Sequence, residues 1–365
     1  MKKILILYTS AGLGHKTMAF NLGKQAESKG FGVSYLDVYE AEDGILVSVG
    51  RVVYKLIYEH LPWVWRFVYT NKSFINFSLK FRLRVAAKKH IETKKVIDNL
   101  LPDMIVTTQT SASAIVAYLK KHGLYKQLFG IAFSDFHLHR FWLYEQADFY
   151  LANTLEQKAE MIKLGVDKEK IFVCGMSLEK ASIVAPQVVR ERLGVEVREK
   201  VVLFTGGSLG YGIDYKLARR LSEYENVRVF IVCGKNAQFY ESLKQIFKDT
   251  RVMVYGYYEP MKELYSLANV FISKPGGLSV SEALSYFLPI IISGVLPGQE
   301  EKNLEFLNKK ELVVKTGEDL LGIVLKELNT GSFAAKLKMN PNRQLLLDGE
   351  VGAGEVMGNL LHVSS

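Results

Sequence analysis

Cysteine is nearly absent from the 365 residues: Cys174 and Cys233 are the only two, each closing an apolar run. That count excludes a disulfide-stapled fold and leaves too few thiols for a zinc cluster, and it suits a reducing compartment. Long hydrophobic stretches are missing as well. No uninterrupted apolar run nears the ~20 residues that a membrane-crossing helix needs. The N-terminus reaches Ser10 and Gly12 after a short apolar run, which reads as a strand instead of a signal peptide. Nowhere are two aspartates separated by a single residue, so a metal-holding Asp-x-Asp is lacking. The first glycine turn, "YTSAGLGHKT" over 8–17, has neither the third glycine of a dinucleotide fingerprint nor the unbroken Gly-Lys-Thr of a P-loop.

Acidic residues are scarce in one place. Residues 51–95 hold eleven Lys and Arg against Glu59 and Glu92, an excess equal to the net +9 of the whole chain. Such asymmetry points to an anionic partner, nucleic acid or a membrane surface. Over 46–90, apolar residues from Val49 to Val68 recur at helical spacing, and Pro62 divides them into two expected helices. Trp63 and Trp65 lie here among seven other aromatics. The stretch "LKFRLRV" (79–85) alternates like a strand, but its flanks favour a helix. One reading is an ordinary amphipathic helix pair. The other is an interfacial surface in which Trp63, Trp65, Arg66, Lys80, Arg82 and Arg84 meet anionic lipid. Nucleic acid is the weaker alternative, since nothing resembles a recognition helix or an RNA-binding sheet.

What is present is a repeated strand–helix order. Eleven apolar runs, from "KILILY" to "PIIIS", alternate with segments of helical period such as 14–29, 154–164, 236–248 and 279–286. Continuous β-branched runs suit strands buried on both faces of a parallel sheet. The pattern predicts an α/β architecture of two doubly wound domains, 1–176 and 177–365, with the last residues packing back on the first domain.

The densest chemistry lies at 270–303. A strand ends in Lys274-Pro275-Gly276-Gly277, and a helix is expected to start near Ser279, so peptide N–H groups there form a diphosphate site. Glu282, expected in the first turn, can accept from vicinal ribose hydroxyls. Gln299, Glu300 and Asn303 follow the next strand and can bond sugar hydroxyls. Ser279 with Glu282 also satisfies a capping box, so local capping alone accounts for those two. "TGGSLGYG" after the run 200–205 is a second phosphate-facing turn, expected to open a helix near Gly212.

These stretches resemble the donor signature of the monogalactosyldiacylglycerol-synthase-like glycosyltransferases, which include bacterial diacylglycerol glucosyltransferases of family 28. "SKPGGLSVSEALSYFLPII" with "PGQEEKN" carries the resemblance, and the motifs run in order over residues 3–310. "LYTSAGLGHKTMA" is similar to the N-terminal glycine–histidine loop of that family, and "SDFHLHRFW" to its Asp-Phe-x-x-His-x-x-Trp motif. The resemblance implies a GT-B fold: two Rossmann-like domains facing a central cleft, with a UDP-sugar on the C-terminal one. It implies donor contacts from Gly206, Gly207, Ser208, Gly210, Lys235, Asn236, Tyr257, Met261, Lys274, Pro275, Gly276, Gly277, Leu278, Ser279, Glu282, Gln299, Glu300 and Asn303. It places Gly12, Gly14, His139 and Trp142 about the acceptor.

Inverting transfer needs a base for the acceptor hydroxyl. His15 is the first candidate, its pKa lowered by the positive helix end, with a phosphate contact as its other role. Asp135 is the rival base, or the group that orients His15. The implied reaction moves glucose or galactose from its UDP derivative to diacylglycerol at the cytoplasmic face of the membrane, with no cofactor or metal. The competing readings are transfer to a polyprenyl-diphosphate lipid, a nucleotide-sugar epimerase and a non-catalytic nucleotide-sugar binder.

Overall fold

The computed structural model describes residues 1–10, 13–38, 67, 71–178, 185–315, 317 and 319–363. The chain divides into two units, one of 1–179 with 297–299 and 345–365, the other of 180–296 with 300–344. All eleven apolar runs are strands. In the first unit β1 (Lys3–Tyr8), β2 (Gly32–Asp37), β3 (Met104–Thr107), β4 (Leu128–Ala132), β5 (Phe149–Ala152) and β6 (Ile171–Val173) form one sheet in the order 2-1-3-4-5-6. Every pairing is parallel. Alternate residues of β1 feed opposite faces, as the period-two geometry of a strand requires. Leu5 and Leu7 join Ile105, Phe129 and Ile131 on one side. Ile4 and Ile6 join Met104, Val106 and Met357 on the other.

The second unit repeats the plan. Strands β7 (Lys200–Thr205), β8 (Val227–Val232), β9 (Val252–Tyr255), β10 (Val270–Ser273) and β11 (Ile290–Ile292) make a parallel sheet in the order 11-10-7-8-9. Val202, Phe204, Val229 and Ile231 anchor one face. Each unit is a doubly wound parallel α/β domain of the kind that a GT-B fold comprises.

Each sheet reverses direction once. The chain leaves β1 for β2 on one side and returns to β3 on the other; likewise β7 leads to β8, and β10 returns on the far side. At such a switch point the two flanking loops diverge and leave a crevice beyond the strand ends, where open α/β sheets bind ligands. In the first sheet the flanking loops carry His15 and Thr108. In the second they are 206–212 and 274–277.

The stretch 79–85 is helical, within the long helix Lys72–Leu100. Its alternation of apolar and basic residues is the local signal, and packing against the helix Thr110–Lys121 overrides it. The helix pair expected before residue 67 lies outside the described residues, as do Gly12, Trp63, Trp65, Arg66 and the Lys80 side chain. No helix among the described residues is long and apolar enough to cross a membrane. The last helix, Ala353–Val363, lies against Leu13–Glu27 in the first unit. A Cβ on Gly354 would stand 2.7 Å from the Gln25 carbonyl oxygen, so only glycine permits this approach.

Candidate active site

In the first unit His15 sits in the opening turn of the helix Leu13–Glu27, just past β1. Its backbone carbonyl accepts from the Thr108 hydroxyl at 2.9 Å, which ties the two loops of the switch point together. The ring lies 6.1 Å from that of Trp142, and its Nδ1 is shut away from solvent. Burial is the largest influence on its pKa and pushes it below the usual histidine value; Asp135 and a hydrogen bond to the Thr108 backbone oppose that. The expected cause was the helix end, and burial takes its place. The consequence is the same, a neutral imidazole at pH 7 able to accept a proton.

Asp135 follows β4 and is buried. Gln299, which belongs to the first unit, donates through Nε2 to Asp135 Oδ2 at 2.5 Å. His139 is also buried, and its Nδ1 accepts from the Phe141 N–H, capping the short 3₁₀ turn Arg140–Trp142. Gly14 has open space where a side chain would stand.

The second unit presents backbone where the first presents side chains. The helix Gly277–Ser285 begins earlier than expected, with Gly276 as its N-cap and no side chain bonding the first turn. Two expectations change as a result. Ser279 is not the cap, so the capping-box reading fails. Glu282 falls in the second turn, where it is half-buried and accepts from the Tyr265 hydroxyl at 3.1 Å. Burial pushes the Glu282 pKa up to about 7, and the Tyr265 hydrogen bond opposes that rise. With no capping side chain, the N–H groups of the first turn stay available to an anion, reinforced by the helix dipole.

The neighbouring turn differs from expectation. After β7 a 3₁₀ turn spans Gly207–Leu209, and the following helix starts only at Tyr215. Asp214 caps that helix by accepting from Leu217 N–H at 2.9 Å, so its carboxylate occupies the end expected to hold phosphate near Gly212. The loop itself remains suited to an anion. Gly207, Gly210 and Gly212 all have positive φ, between 66° and 79°, a region that other residues rarely enter. Gly234 packs so closely that a Cβ would lie 2.6 Å from the carbonyl oxygens of Gly207 and Ser208. Lys235 N–H donates to the Ser208 carbonyl at 2.8 Å, and Asn236 Nδ2 to the Leu209 carbonyl at 3.1 Å. Asn236 also caps the helix Ala237–Ile246. Both residues therefore brace the turn.

Two further carboxylate and amide groups are engaged by the protein. Lys274 Nζ bonds Glu300 Oε1 at 2.5 Å, and Glu300 Oε2 accepts from the Leu296 N–H at 3.0 Å. Asn303 Nδ2 donates to the Pro275 carbonyl at 3.0 Å, fixing the turn that leads into the uncapped helix. Tyr257 is exposed and donates to Glu259 at 2.9 Å, and Met261 opens the helix Met261–Leu267. The residue that sequence reasoning missed is Tyr265. Its position in "MKELYSLAN" gives no local sign that its hydroxyl reaches a glutamate seventeen residues on.

On the helix Lys72–Leu100, one face is uncovered. Phe74, Phe77, Phe81, Arg84, Lys88, Ile91 and Lys95 follow at steps of three and four, and all seven are exposed. The Phe77 ring is 6.1 Å from Phe74 and 6.4 Å from Phe81. Arg82, expected among the lipid-facing cations, points elsewhere: its guanidinium lies 4.4 Å from the Phe141 ring centre.

The comparisons with known proteins concern family and fold. Residues 15–178 match the family model described as monogalactosyldiacylglycerol (MGDG) synthase, and 201–343 match the glycosyltransferase family 28 C-terminal domain. The chain is 27% identical to the "Processive diacylglycerol beta-glucosyltransferase" of Bacillus subtilis, over 93% of this chain and 90% of that protein. Among solved structures it superposes on the glycosyltransferase SsfS6 of Streptomyces sp. SF2575 with a TM-score of 0.64 at 9% identity, covering all of both chains. It superposes on UDP-GlcNAc 2-epimerase from Neisseria meningitidis, solved with UDP-GlcNAc, with a TM-score of 0.62 at 13% identity, again over all of both. At such identities the two structures speak to the fold alone.

Proposed function

We propose that the chain, which carries monogalactosyldiacylglycerol synthase and family 28 C-terminal domains, transfers glucose from UDP-glucose to diacylglycerol, inverting the anomeric carbon and making a membrane glycolipid. Glucose is preferred to galactose because the Bacillus relatives are named glucosyltransferases. The observation that carries the proposal is the uncapped helix at Gly276–Gly277, set at the switch point of the second sheet with the half-buried Glu282 carboxyl one turn on.

The donor's diphosphate is held by N–H groups of 277–279 and of the 207–209 turn. Glu282 accepts from the ribose hydroxyls, with Tyr265 fixing its orientation. The leaving UDP gains negative charge as the bond to the sugar breaks. Preorganised amides and the helix dipole offset that charge in place of a divalent cation. Lys274 adds a positive group, held by Glu300. Neutral His15 takes the proton of the acceptor hydroxyl as its oxygen attacks the anomeric carbon, and Asp135 stabilises the imidazolium that results.

Diacylglycerol stays in a bilayer, so the enzyme must reach it there. The face of Phe74, Phe77 and Phe81 enters the headgroup boundary, and Arg84, Lys88 and Lys95 further along it meet anionic lipid on the cytoplasmic side. Aromatic and basic groups thus divide one helix face between them.

Vesicles of diacylglycerol and phosphatidylglycerol, given radiolabelled UDP-glucose or UDP-galactose in the presence of EDTA, test the proposal, with products resolved by thin-layer chromatography. The expected result is labelled glucosyl-diacylglycerol. Galactolipid alone would move the donor assignment. No labelled glycolipid from either sugar would refute the function.

A further inference from the structure

The loop that carries Asp135 is built in an unusual way. Between β4 and the 3₁₀ turn at Arg140, the carbonyls of Phe133, Asp135, Phe136 and His137 all accept from side chains, and the donors come from one place. Asn153 Nδ2 donates to Phe133 at 2.7 Å and to Asp135 at 2.9 Å. Gln157 Nε2 donates to Asp135 at 2.8 Å and to His137 at 3.0 Å. Thr154 Oγ1 donates to Phe136 at 3.1 Å. Asn153, Thr154 and Gln157 are buried, at 1%, 4% and 0% exposure, where β5 passes into the helix Leu155–Lys163.

The donors are themselves fixed. Gln157 Oε1 accepts from the Asn153 N–H at 2.7 Å, so the amide has one orientation and its NH₂ must face the loop. Thr154 Oγ1 accepts from the Gln157 N–H at 3.1 Å. A connecting loop usually runs over the surface and leaves its carbonyls to water. Burying two carboxamides is costly, the more so because Asn153 Oδ1 is buried without a partner among the described residues, and an apolar junction would pack as well at lower risk. The arrangement makes sense where one residue has to be held to a narrow position, and the carbonyl that receives two of the five bonds is that of Asp135.

We propose that Asn153 and Gln157 are positioning residues, which hold the Asp135 backbone so that its carboxylate stays beside His15. The proposal rests on the reading of Asp135 as the partner of the base. Neither amide touches substrate.

The test uses the full-length chain with Gln157→Met, which keeps the side-chain length and removes both donated bonds. Two readouts are taken, each also in an Asp135→Asn background. The first is kcat and KM with UDP-glucose and diacylglycerol vesicles. Gln157→Met is expected to lower kcat about 10- to 100-fold, with KM for UDP-glucose within about twofold. In the Asp135→Asn background the same change is expected to cost less than about threefold, because the residue it positions is already lost. The second readout needs no activity: the His15 imidazole titration followed by NMR. Asp135 raises the His15 pKa, so Asp135→Asn lowers it. Gln157→Met should lower it part of the way and have no effect in the double variant.

A Gln157→Met protein with wild-type kcat and an unmoved His15 titration, but a lower melting temperature, would overturn the proposal and reduce the network to stability. A loss that multiplies fully onto Asp135→Asn would overturn it too. An Asp135→Asn enzyme as active as wild type would instead refute the reading on which the proposal rests. Should Gln157→Met fail to fold, Asn153→Ala, which removes the other two amide bonds, is read against the same outcomes.

Discussion

At the reversal of the first sheet, between β1 and β3, the groups with chemistry are side chains: His15, whose ring is largely withdrawn from water, and the buried Asp135 one strand further along. At the reversal of the second, between β7 and β10, they are peptide N–H groups, exposed by glycines with positive φ and by a helix that no side chain caps. The same sheet geometry thus makes two kinds of site. Moving a proton requires a titratable side chain with a pKa set by burial and a neighbouring charge. Holding a diphosphate requires several donors within reach of one ligand, which backbone supplies best where side chains are absent.

The comparison fails or sharpens under substitution. The largest expected effect is from His15→Ala, which removes a base and should lower kcat about 10²- to 10⁴-fold while leaving KM for UDP-glucose nearly unchanged. Steady-state kinetics with saturating diacylglycerol reads both. The acid limb of kcat/KM in the wild type should fall below pH 6.5, since burial lowers the His15 pKa and only the neutral ring accepts. Glu282→Ala belongs to the other class. It should raise KM for UDP-glucose roughly tenfold or more, because ribose hydroxyls left without their acceptor lose about 1–3 kcal/mol. Its kcat should move little.

A smaller effect is expected at the exposed aromatic face. Phe77→Ser with Phe81→Ser should weaken binding to anionic vesicles roughly tenfold in a flotation assay, given about 0.7 kcal/mol for each half-exposed ring that enters lipid. The unfolding temperature should stay put. A separate effect, absent from the assay, concerns stability. Glu282 is protonated in the folded protein up to about pH 7, against an unfolded value near 4.5. The native state therefore gains from this group below pH 4.5 and loses that gain as pH rises through 7. Glu282→Gln keeps the site neutral, so it should stabilise the protein on the order of 2 kcal/mol at pH 8 and progressively less toward pH 4.5. Denaturant melts at several pH values would show the slope.

Much of this could be read from the chain. Continuous apolar runs such as "KVVLFT" and "VRVFIV" can only be buried strands, and the turns "GLGHKT" and "KPGGLS" fall at the strand ends where a parallel sheet puts its ligands. What escaped reading was set by tertiary contact. Ser279 and Glu282 have capping-box spacing, yet the helix begins at Gly277 because glycine at 276 adopts the extended backbone of a cap with no side chain to contribute. Asn303 looks like a sugar-binding amide in sequence, and the resemblance makes Asn236 a donor contact; each bonds a carbonyl of a distant turn. Tyr265 and Gln157 act through groups seventeen or more residues away, and no local pattern announces such pairings. Arg82 shows the same limit on a helix: its spacing shows which face it lies on, but not that Phe141 covers that face.

The central claim is the division of labour between the two reversal points, and one experiment addresses it directly. His15→Ala and Glu282→Ala are assayed side by side with labelled UDP-glucose and diacylglycerol vesicles, resolving kcat from KM. The first should lose kcat at near-constant KM, and the second should gain KM at near-constant kcat. Equal losses in the same parameter for both variants, or an active His15→Ala enzyme, would contradict it.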